Sequence, residues 1–579
     1  MDSLYSFKPF AKNEGLLLNM AKILLICFVS YFLLGNIEPF YEGRDAYTHA
    51  LASINFSHGQ LERTNSLLQE TGLREFAGDR WLVTDFNTAV PRIPGIGIVF
   101  FGGISFLLGG YYGLFYLTPI FTIILLIVSE RVATKLFGRY VGLFTLLVVG
   151  TSNLVFRNST SLQTESLFSV FFILASFYFV RYLRGKNNLY LLLASCLFAA
   201  STAVRLQGVV SFPVEIAVVV GFFAANVIQK RRGVSTNQRI LGRKSDVAKA
   251  LVYIAIPWII FFASYMAFFD YYFGNPFTNY GEVANFKSYE TSPSSFTTIR
   301  GEDLDNVKQY SKYLFPYQIP ATFDRTDNNL EGLFGSDWLG VAALLVIAFS
   351  LLVSLRMKKH RLEMILFLPL IFATVWFYSS LTSEDRAASG VPGRFMIPAF
   401  ILSTMVFGFL LREFTRVAAT RSVILRSSRV VVVGVVGLFL IAAIYFSSPA
   451  QIAIADGLDF EDPSKLSARY PLDMEGLDKN SVIFLIHADW AVDYGVIPFQ
   501  PNPTKLEESF SLLKQVLNDG YSVYTFKETT YEGEKEILRS LTENYGIVLR
   551  EHSKTFCKME VYTDASKSDI ICLTNSDME

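Results

Sequence analysis

Asp45 is the carboxylate of this sequence that is best placed for chemistry. It lies in the run Tyr41–Tyr47, shortly after the first long apolar segment, where a mixed polar stretch begins that extends to Arg92. A carboxylate in such a place can act as a general base and remove a proton from a hydroxyl group. Glu42 lies three residues earlier and competes for that role. The sequence therefore predicts a proton acceptor in this stretch.

Four arginines near the ends of apolar segments could hold an anion. They are Arg44, Arg92, Arg205 and Arg394. A planar guanidinium group donates two parallel hydrogen bonds to a phosphate and keeps its charge. The same positions suit interfacial anchors for lipid head groups, so both roles stay open. Glu165 could support Asp45 or position a substrate, or it could cap a helix, because Ser161–Glu165 has the composition of a helix start.

The composition indicates an α-helical polytopic membrane protein. Of the 579 residues, 51% are hydrophobic and 53 are Phe, and the mean hydropathy is +0.36. Several apolar runs reach the length that spans a bilayer, and we expect about 11–13 membrane segments. Membrane lipids are thus expected partners. The net charge is zero and gives no indication of a nucleic-acid partner.

The basic clusters predict the orientation of these segments. They fall between pairs of apolar segments, at residues 181–186, 230–244, 356–361 and 412–429. Because Lys and Arg in short loops favour the cytoplasm, we expect a multi-pass plasma-membrane protein with a cytoplasmic N-terminus. The external loops are then 41–92, 270–336 and 379–394, and most of the polar mass is extracytoplasmic.

Residues 93–130 interrupt this pattern. They contain two apolar runs separated by Gly109–Gly113. If both runs crossed the membrane, Arg131, Lys135 and Arg139 would face outward, against the charge rule. A single net crossing restores the rule, so we expect Pro91–Gly110 to be re-entrant, lateral or broken. Two short spans are the alternative.

The C-terminal region has the composition of a soluble domain. We divide the chain into a membrane domain, 1–450, and a small extracytoplasmic α/β domain, 451–579, because strand-like and helix-like segments alternate in the second part. The expected elements are strands at 481–486, 521–526, 558–562 and 570–573, and helices at 505–518 and 535–545. Cys557 and Cys572 flank a predicted hairpin and could form a disulfide in an oxidising compartment.

Short motifs follow one another in an order that is typical of one class of membrane enzymes. They are Arg44-Asp45-Ala46-Tyr47 with Ala50, Ala52 and Gly59, then Pro91-Arg92-Ile93-Pro94-Gly95, Leu136-Phe137-Gly138, Gln163-Thr164-Glu165, Phe273-Gly274-Asn275-Pro276-Phe277 and Arg394-Phe395-Met396-Ile397-Pro398. With these motifs, residues 15–450 resemble the GT-C class of polytopic glycosyltransferases, in particular its branch of protein mannosyltransferases and aminoarabinose transferases. The acidic pair usual in that class is not clear here, since Ala46 follows Asp45.

The resemblance implies transfer of a sugar from a polyprenyl phosphate, dolichyl or undecaprenyl, to a protein, lipid or glycan acceptor on the external face. Asp45 would be the general base and Glu165 a second catalytic residue. Substrate binding would fall to Tyr47 and to the four arginines named above. No cofactor is expected. We expect no metal either, because the five His residues lack metal-ligand spacing.

A transporter or lipid-handling protein without covalent chemistry is the alternative. Transporters commonly have internal repeats and ionisable residues within their spans. The sequence has no convincing repeat, and Glu215, shortly after Pro213, is the main ionisable residue within a predicted span. The large external loops favour the enzyme.

The predicted orientation can be tested with introduced cysteines. Gly185→Cys and Lys358→Cys, each in a background without the native cysteines, should react with a membrane-impermeant maleimide only after the cytoplasmic side is opened. Labelling of intact cells from outside would overturn the orientation.

Overall fold

The computed structural model describes most of the membrane domain and part of the C-terminal domain. The described residues are 8–35, 37, 44–61, 81–83, 89–91, 95–160, 162–231, 244–277, 311, 314, 345–350, 352–353, 360–381, 391–421, 477, 481–484, 497–499, 506–526, 532–552 and 556–561.

The first of these two domains is a bundle of apolar helices. Its helices are α1 (Lys8–Gly35), α2 (Arg44–Ser57), α3 (Ile96–Phe137), α4 (Arg139–Gly150), α5 (Asn153–Arg157), α6 (Glu165–Gly185), α7 (Asn188–Val204), α8 (Ser211–Arg231), α9 (Lys244–Phe273), α10 (Arg361–Leu381) and α11 (Ile397–Arg421). The 3-10 helices Leu206–Val210 and Val391–Met396 precede α8 and α11, and strands β1 (Trp81–Val83) and β2 (Ala89–Pro91) pair antiparallel.

Several of these helices can cross a membrane. Among the described residues, 7 helices are long and apolar enough to do so, and α4 and α7 are shorter apolar helices. The centre of the bundle is filled with aromatic side chains, many of them phenylalanines with almost no exposed surface. The protein is therefore a multi-pass membrane protein, and the predicted fold class is confirmed.

Helix α3 folds back on itself at Gly110. This residue has φ 57° and ψ −142°, which a glycine adopts without the steric cost that a side chain would add. The rings of Phe101 and Phe121 are 5.4 Å apart, whereas a straight helix would separate them by about 30 Å. The two arms of α3, residues 96–109 and 111–137, thus form a hairpin.

The second arm of α3 connects the two ends of the bundle. Near its start, the Thr118 hydroxyl donates to the Gln163 carbonyl over 3.2 Å, beside the beginning of α6. At its end, the ring of Phe137 lies 5.3 Å from that of His360, which precedes α10. We call these the Glu165 end and the His360 end.

The first arm stays near the Glu165 end. Gly95 and Gly97 pack closely against Val204, the last residue of α7. A side chain at Gly95 would overlap the backbone of Val204, and one at Gly97 would overlap its side chain. From there the arm leads to Gly110, where the second arm begins. Both of its ends therefore lie toward the Glu165 end. The single net crossing and the lateral or re-entrant course of Pro91–Gly110 stay predictions.

A buried ion pair fixes α1 to the second arm of α3. The ammonium group of Lys22 contacts the carboxylate of Glu130, and both side chains are less than a tenth exposed. Thr134 donates a 2.6 Å hydrogen bond to the same carboxylate. Because a buried charge without a partner is costly, this pair fixes how far α1 can slide along α3.

The C-terminal domain contains a mixed sheet with helices. Its strands are β3 (Val482–Phe484), β4 (Ile497–Phe499), β5 (Val523–Phe526), β6 (Ile547–Glu551) and β7 (Phe556–Val561), in the order β4-β3-β5-β7-β6, and its helices are α12 (Leu506–Asn518) and α13 (Glu532–Tyr545). β3 pairs parallel with β4 and β5, while β7 pairs antiparallel with β5 and β6. The predicted α/β character is confirmed.

Some details of this domain differ from the prediction. The predicted strand 558–562 begins two residues earlier, at Phe556, and the short strands β4 and β6 were not predicted. The predicted strand 570–573 lies outside the described residues. Cys557 is buried and disulfide-bonded, but Cys572 also lies outside them, so the pairing of these two cysteines stays a prediction.

The α3 hairpin predicts an asymmetric response to two glycine substitutions. Gly113→Ala should lower the free energy of unfolding by about 1–3 kcal/mol, because the new Cβ would overlap the Ser105 carbonyl of the other arm. Gly221→Ala is the matched control, since a Cβ atom there has open space around it. It should be neutral or stabilise helix α8 by up to about 1 kcal/mol. Thermal unfolding of the purified proteins in detergent measures both, and equal effects would contradict the hairpin.

Candidate active site

Glu165 is a buried carboxylate at the first residue of α6. Its side chain is 1% exposed, and the preceding Gln163 and Thr164 are buried as well. The amide groups at a helix N-terminus carry a partial positive charge, which favours a carboxylate in the first turn. The helix start thus provides part of the stabilisation that this buried charge needs.

Arg205 reaches Glu165 from the end of α7. It lies in an extended conformation between α7 and the following 3-10 helix. Its Nη1 atom donates to Glu165 Oε1 over 2.5 Å and to Thr164 Oγ1 over 2.6 Å. The break between the two helices is what allows this side chain to turn toward the start of α6.

Arg394 approaches the same carboxylate from the 3-10 helix before α11. Its Nε atom is 3.5 Å from Glu165 Oε1, and its Nη1 atom donates to Gln163 Oε1 over 3.1 Å. Glu165 therefore faces two guanidinium groups that come from opposite parts of the chain. We call Glu165, Arg205 and Arg394 the charge cluster.

The charge cluster has one negative and two positive members. The arginine side chains are 12% and 18% exposed, so both guanidinium groups are largely shielded from water. Placing charges in a low-dielectric site is costly unless they are paired. Two guanidinium groups placed together in this way can donate several hydrogen bonds to an anion such as a phosphate.

Phe395 packs beside both guanidinium groups. The Cζ atom of Arg205 lies 4.0 Å from the centre of its ring, and that of Arg394 lies 5.0 Å from it. Tyr378 stacks on the ring, with centroids 4.8 Å apart and an interplanar angle of 16°. Gln207 donates to the Phe395 carbonyl over 3.4 Å. The sequence placed Phe395 in a motif, but neither its aromatic character nor its spacing indicated these contacts.

The loop before Glu165 is held by two other elements. His49 of α2 is buried, and its Nδ1 atom is 3.2 Å from the Leu162 carbonyl. Thr118 of α3 bonds both the carbonyl and the amide of Gln163. Neither residue was predicted for the site, because a lone His or Thr at the face of an apolar helix carries no signal of its partner.

The position of Asp45 follows from the backbone of α2. Asp45 lies one turn before His49, so the helix places the two residues about 6 Å apart along its axis and on one face. Since His49 contacts the carbonyl of Leu162, α2 packs beside the loop that leads into Glu165.

The structure thus brings together three of the predicted site residues, which are Glu165, Arg205 and Arg394. Arg44, Asp45 and Tyr47 are described only as backbone positions in the first turn of α2. Arg92 and Glu42 lie outside the described residues. The catalytic and binding roles of all of them stay predictions.

No group of three or more His, Cys, Asp or Glu side chains that could hold a metal comes together in the described part of the chain. The expected independence of metals and cofactors stays a prediction.

Glu215 has a packing role that the sequence did not indicate. It is fully buried in α8 and accepts hydrogen bonds from Ser195 Oγ over 2.7 Å and from Trp258 Nε1 over 2.9 Å. Each carboxylate oxygen therefore has a partner, one from α7 and one from α9. These bonds join three helices and explain why a polar group is present at this depth.

Two solved structures have the same architecture as this chain. One is ArnT from Cupriavidus metallidurans bound to undecaprenyl phosphate, with a TM-score of 0.50 and 12% sequence identity over 95% of this chain and 99% of that one. The other is the Archaeoglobus fulgidus oligosaccharyltransferase in complex with Zn and sulfate, with a TM-score of 0.50 and 13% identity over 93% and 73% of the two chains. The chain has the GT-C fold. No protein-family model matches the sequence, and no curated protein sequence is significantly similar to it.

This GT-C fold confirms the fold that the motif series implied. At such low identity the similarity concerns the architecture, and the chemistry of this chain has to be argued from its own residues.

The charge cluster predicts a large stability difference between two carboxylate substitutions. Glu165→Gln should destabilise the protein by about 2–4 kcal/mol, because it leaves two shielded guanidinium groups without their shared carboxylate. Glu560→Gln is the control, since Glu560 pairs with Arg550 at the surface, 3.2 Å away and 39% exposed. Its loss should cost less than about 1 kcal/mol. Thermal unfolding in detergent compares them, and a neutral Glu165→Gln would show that the arginines do not depend on this carboxylate.

Proposed function

We propose that this protein is an integral membrane glycosyltransferase. It moves a sugar from a polyprenyl phosphate, of the dolichyl or undecaprenyl type, to an acceptor on the extracytoplasmic face. The observation that carries the proposal is the charge cluster, in which the largely buried guanidinium groups of Arg205 and Arg394 converge on Glu165. The GT-C fold supports the reaction class, and so does the undecaprenyl phosphate bound to ArnT.

The chemistry requires a proton acceptor and a stabilised leaving group. The acceptor hydroxyl attacks the anomeric carbon of the sugar, forming a new carbon–oxygen bond while the bond to the phosphate oxygen breaks. The hydroxyl proton passes to a carboxylate, and the lipid phosphate leaves with its negative charge. Guanidinium groups that hold this charge lower the barrier, because they contact it more strongly as it develops.

Arg205 and Arg394 are suited to the phosphate side of this reaction. Glu165 holds both arginines in place. In this proposal it also orients the acceptor. Arg44, Arg92 and Tyr47 belong to the motifs around α2 and contribute to binding of the two substrates in this proposal.

Asp45 is the general base in this proposal. Its place one turn before His49 supports the assignment, because His49 contacts the loop that precedes Glu165. An inverting transfer requires such a base on the side of the sugar opposite the departing phosphate.

The location of the reaction follows from the predicted orientation. We propose that the Glu165 end is extracytoplasmic, that the N-terminus is cytoplasmic, and that the domain of residues 451–579 helps to recognise the acceptor outside the cell. The cluster at the His360 end, where Arg184 pairs with Glu363, then lies on the cytoplasmic side, together with the basic linkers.

A transporter is less well supported. Its best anchor, Glu215, has both carboxylate oxygens engaged by Ser195 and Trp258. A residue with such fixed partners is suited to packing three helices rather than to exchanging a proton or an ion along a path.

The base assignment predicts the behaviour of a conservative variant. Asp45→Asn should keep the fold and the binding of a polyprenyl-phosphate sugar, but lower the rate of transfer about 10²–10⁴-fold, because the amide cannot accept the hydroxyl proton. Transfer of a radiolabelled sugar from undecaprenyl phosphate or dolichyl phosphate in proteoliposomes measures the rate.

Glu42→Gln is the matched control, since Glu42 is the rival carboxylate of the same motif. It should retain most of the activity. Transfer at the wild-type rate by Asp45→Asn, with loss of activity in Glu42→Gln, would move the role to Glu42.

A further inference from the structure

We propose that Phe395 is a positioning residue whose ring holds the guanidinium groups of Arg205 and Arg394 in place for an anionic lipid head group. The inference rests on the proposed function and assigns a role to a residue that carries no charge and no reactive group.

The first step is the geometry of the ring and the cations. Both guanidinium carbons lie within 5.0 Å of the ring centre of Phe395. A cation at the face of an aromatic ring is attracted by the ring's quadrupole when it lies within about 6 Å. One ring therefore attracts both arginines at once, in addition to the carboxylate of Glu165.

The second step is the fixed position of the ring itself. Tyr378 of α10 stacks on it at 4.8 Å, nearly parallel. Gln207 fixes the main chain of the same residue from the 3-10 helix before α8. Tyr378 of α10 thus holds the ring of Phe395, and Gln207 of the 3-10 helix before α8 holds its backbone. Phe395 cannot turn without breaking one of these two contacts.

The third step concerns the two like charges. Arg205 and Arg394 carry like charges and repel each other, and both approach the single carboxylate of Glu165. When Glu165 is shared in this way, a second attractive partner keeps both side chains together before an anion arrives. Such preorganisation lowers the free-energy cost of binding, because the two guanidinium groups are already ordered before the anion binds.

The experiment compares the binding of two lipids to purified protein in nanodiscs. Undecaprenyl phosphate is the anionic probe, and undecaprenol, which has the same chain without the phosphate, is the neutral probe. Phe395→Leu should weaken the binding of undecaprenyl phosphate about 5- to 30-fold, as expected from the loss of one or two cation–ring contacts. It should leave the binding of undecaprenol unchanged.

Two further variants separate positioning from packing. Phe395→Tyr keeps the ring and should bind undecaprenyl phosphate within about twofold of the wild type. Phe212→Leu is the matched control, because Phe212 is also a partly buried residue whose ring contacts are with Trp258, at 5.0 Å, and Phe262. It should bind both lipids like the wild type.

If Phe395→Leu does not fold, the support of the ring can be removed instead. Tyr378→Leu should also weaken the binding of undecaprenyl phosphate, but by less than Phe395→Leu does. Tyr378→Phe, which keeps the stack, should leave this binding unchanged.

The outcomes distinguish this inference from the proposed function. If Phe395→Leu weakens both lipids equally, or neither, the positioning role is wrong while the phosphate site stands. If the wild type binds undecaprenyl phosphate no better than undecaprenol, the phosphate site itself is wrong, and the role of Phe395 falls with it.

Discussion

The Glu165 end depends on one shared carboxylate. Glu165 is almost fully buried, and such a charge persists only where cations and hydrogen-bond donors surround it. The partners come from the end of α7 and from the turn before α11, and α6 contributes the dipole of its own N-terminus. The carboxylate therefore requires three distant parts of the chain to meet, and two guanidinium groups lie where they meet.

The hairpin of α3 supplies the second constraint. Because the chain reverses at Gly110, the first arm stays near the Glu165 end, and only the second arm runs to the His360 end. The second arm brings Thr118 to the loop before Glu165. A straight helix of the same residues could not hold that loop from one side and contact Val204 from the other.

Much of this arrangement could be predicted from the sequence. Gln163-Thr164-Glu165, Arg205 and Arg394 were assigned to one face because the charge rule and the motif order both place them at span ends. The positive charges at Arg131, Lys135 and Arg139 also predict a single net crossing of residues 93–130, which stays a prediction. These arguments rest on the high cost of placing a charged side chain in the membrane. This cost restricts charged residues to particular positions relative to the apolar segments.

The rest could not be predicted, for a different physical reason. The contacts of Phe395 with two arginines, of Tyr378 with its ring and of His49 with Leu162 depend on tertiary packing between helices far apart in the chain. One Phe among the 53 in the sequence gives no sign of which cation it will contact. The short strands β4 and β6 likewise form through pairing with neighbours, since isolated strands of this length have little intrinsic preference.

The position of a bound lipid phosphate tests the account most directly. A cryo-EM structure of the wild-type protein in nanodiscs with undecaprenyl phosphate should contain phosphate density about 2.7–2.9 Å from guanidinium nitrogens of Arg205 or Arg394. The first turn of α2 should lie on the other side of that density. A phosphate bound at the His360 end, or a lipid whose head group does not reach the charge cluster, would contradict the account.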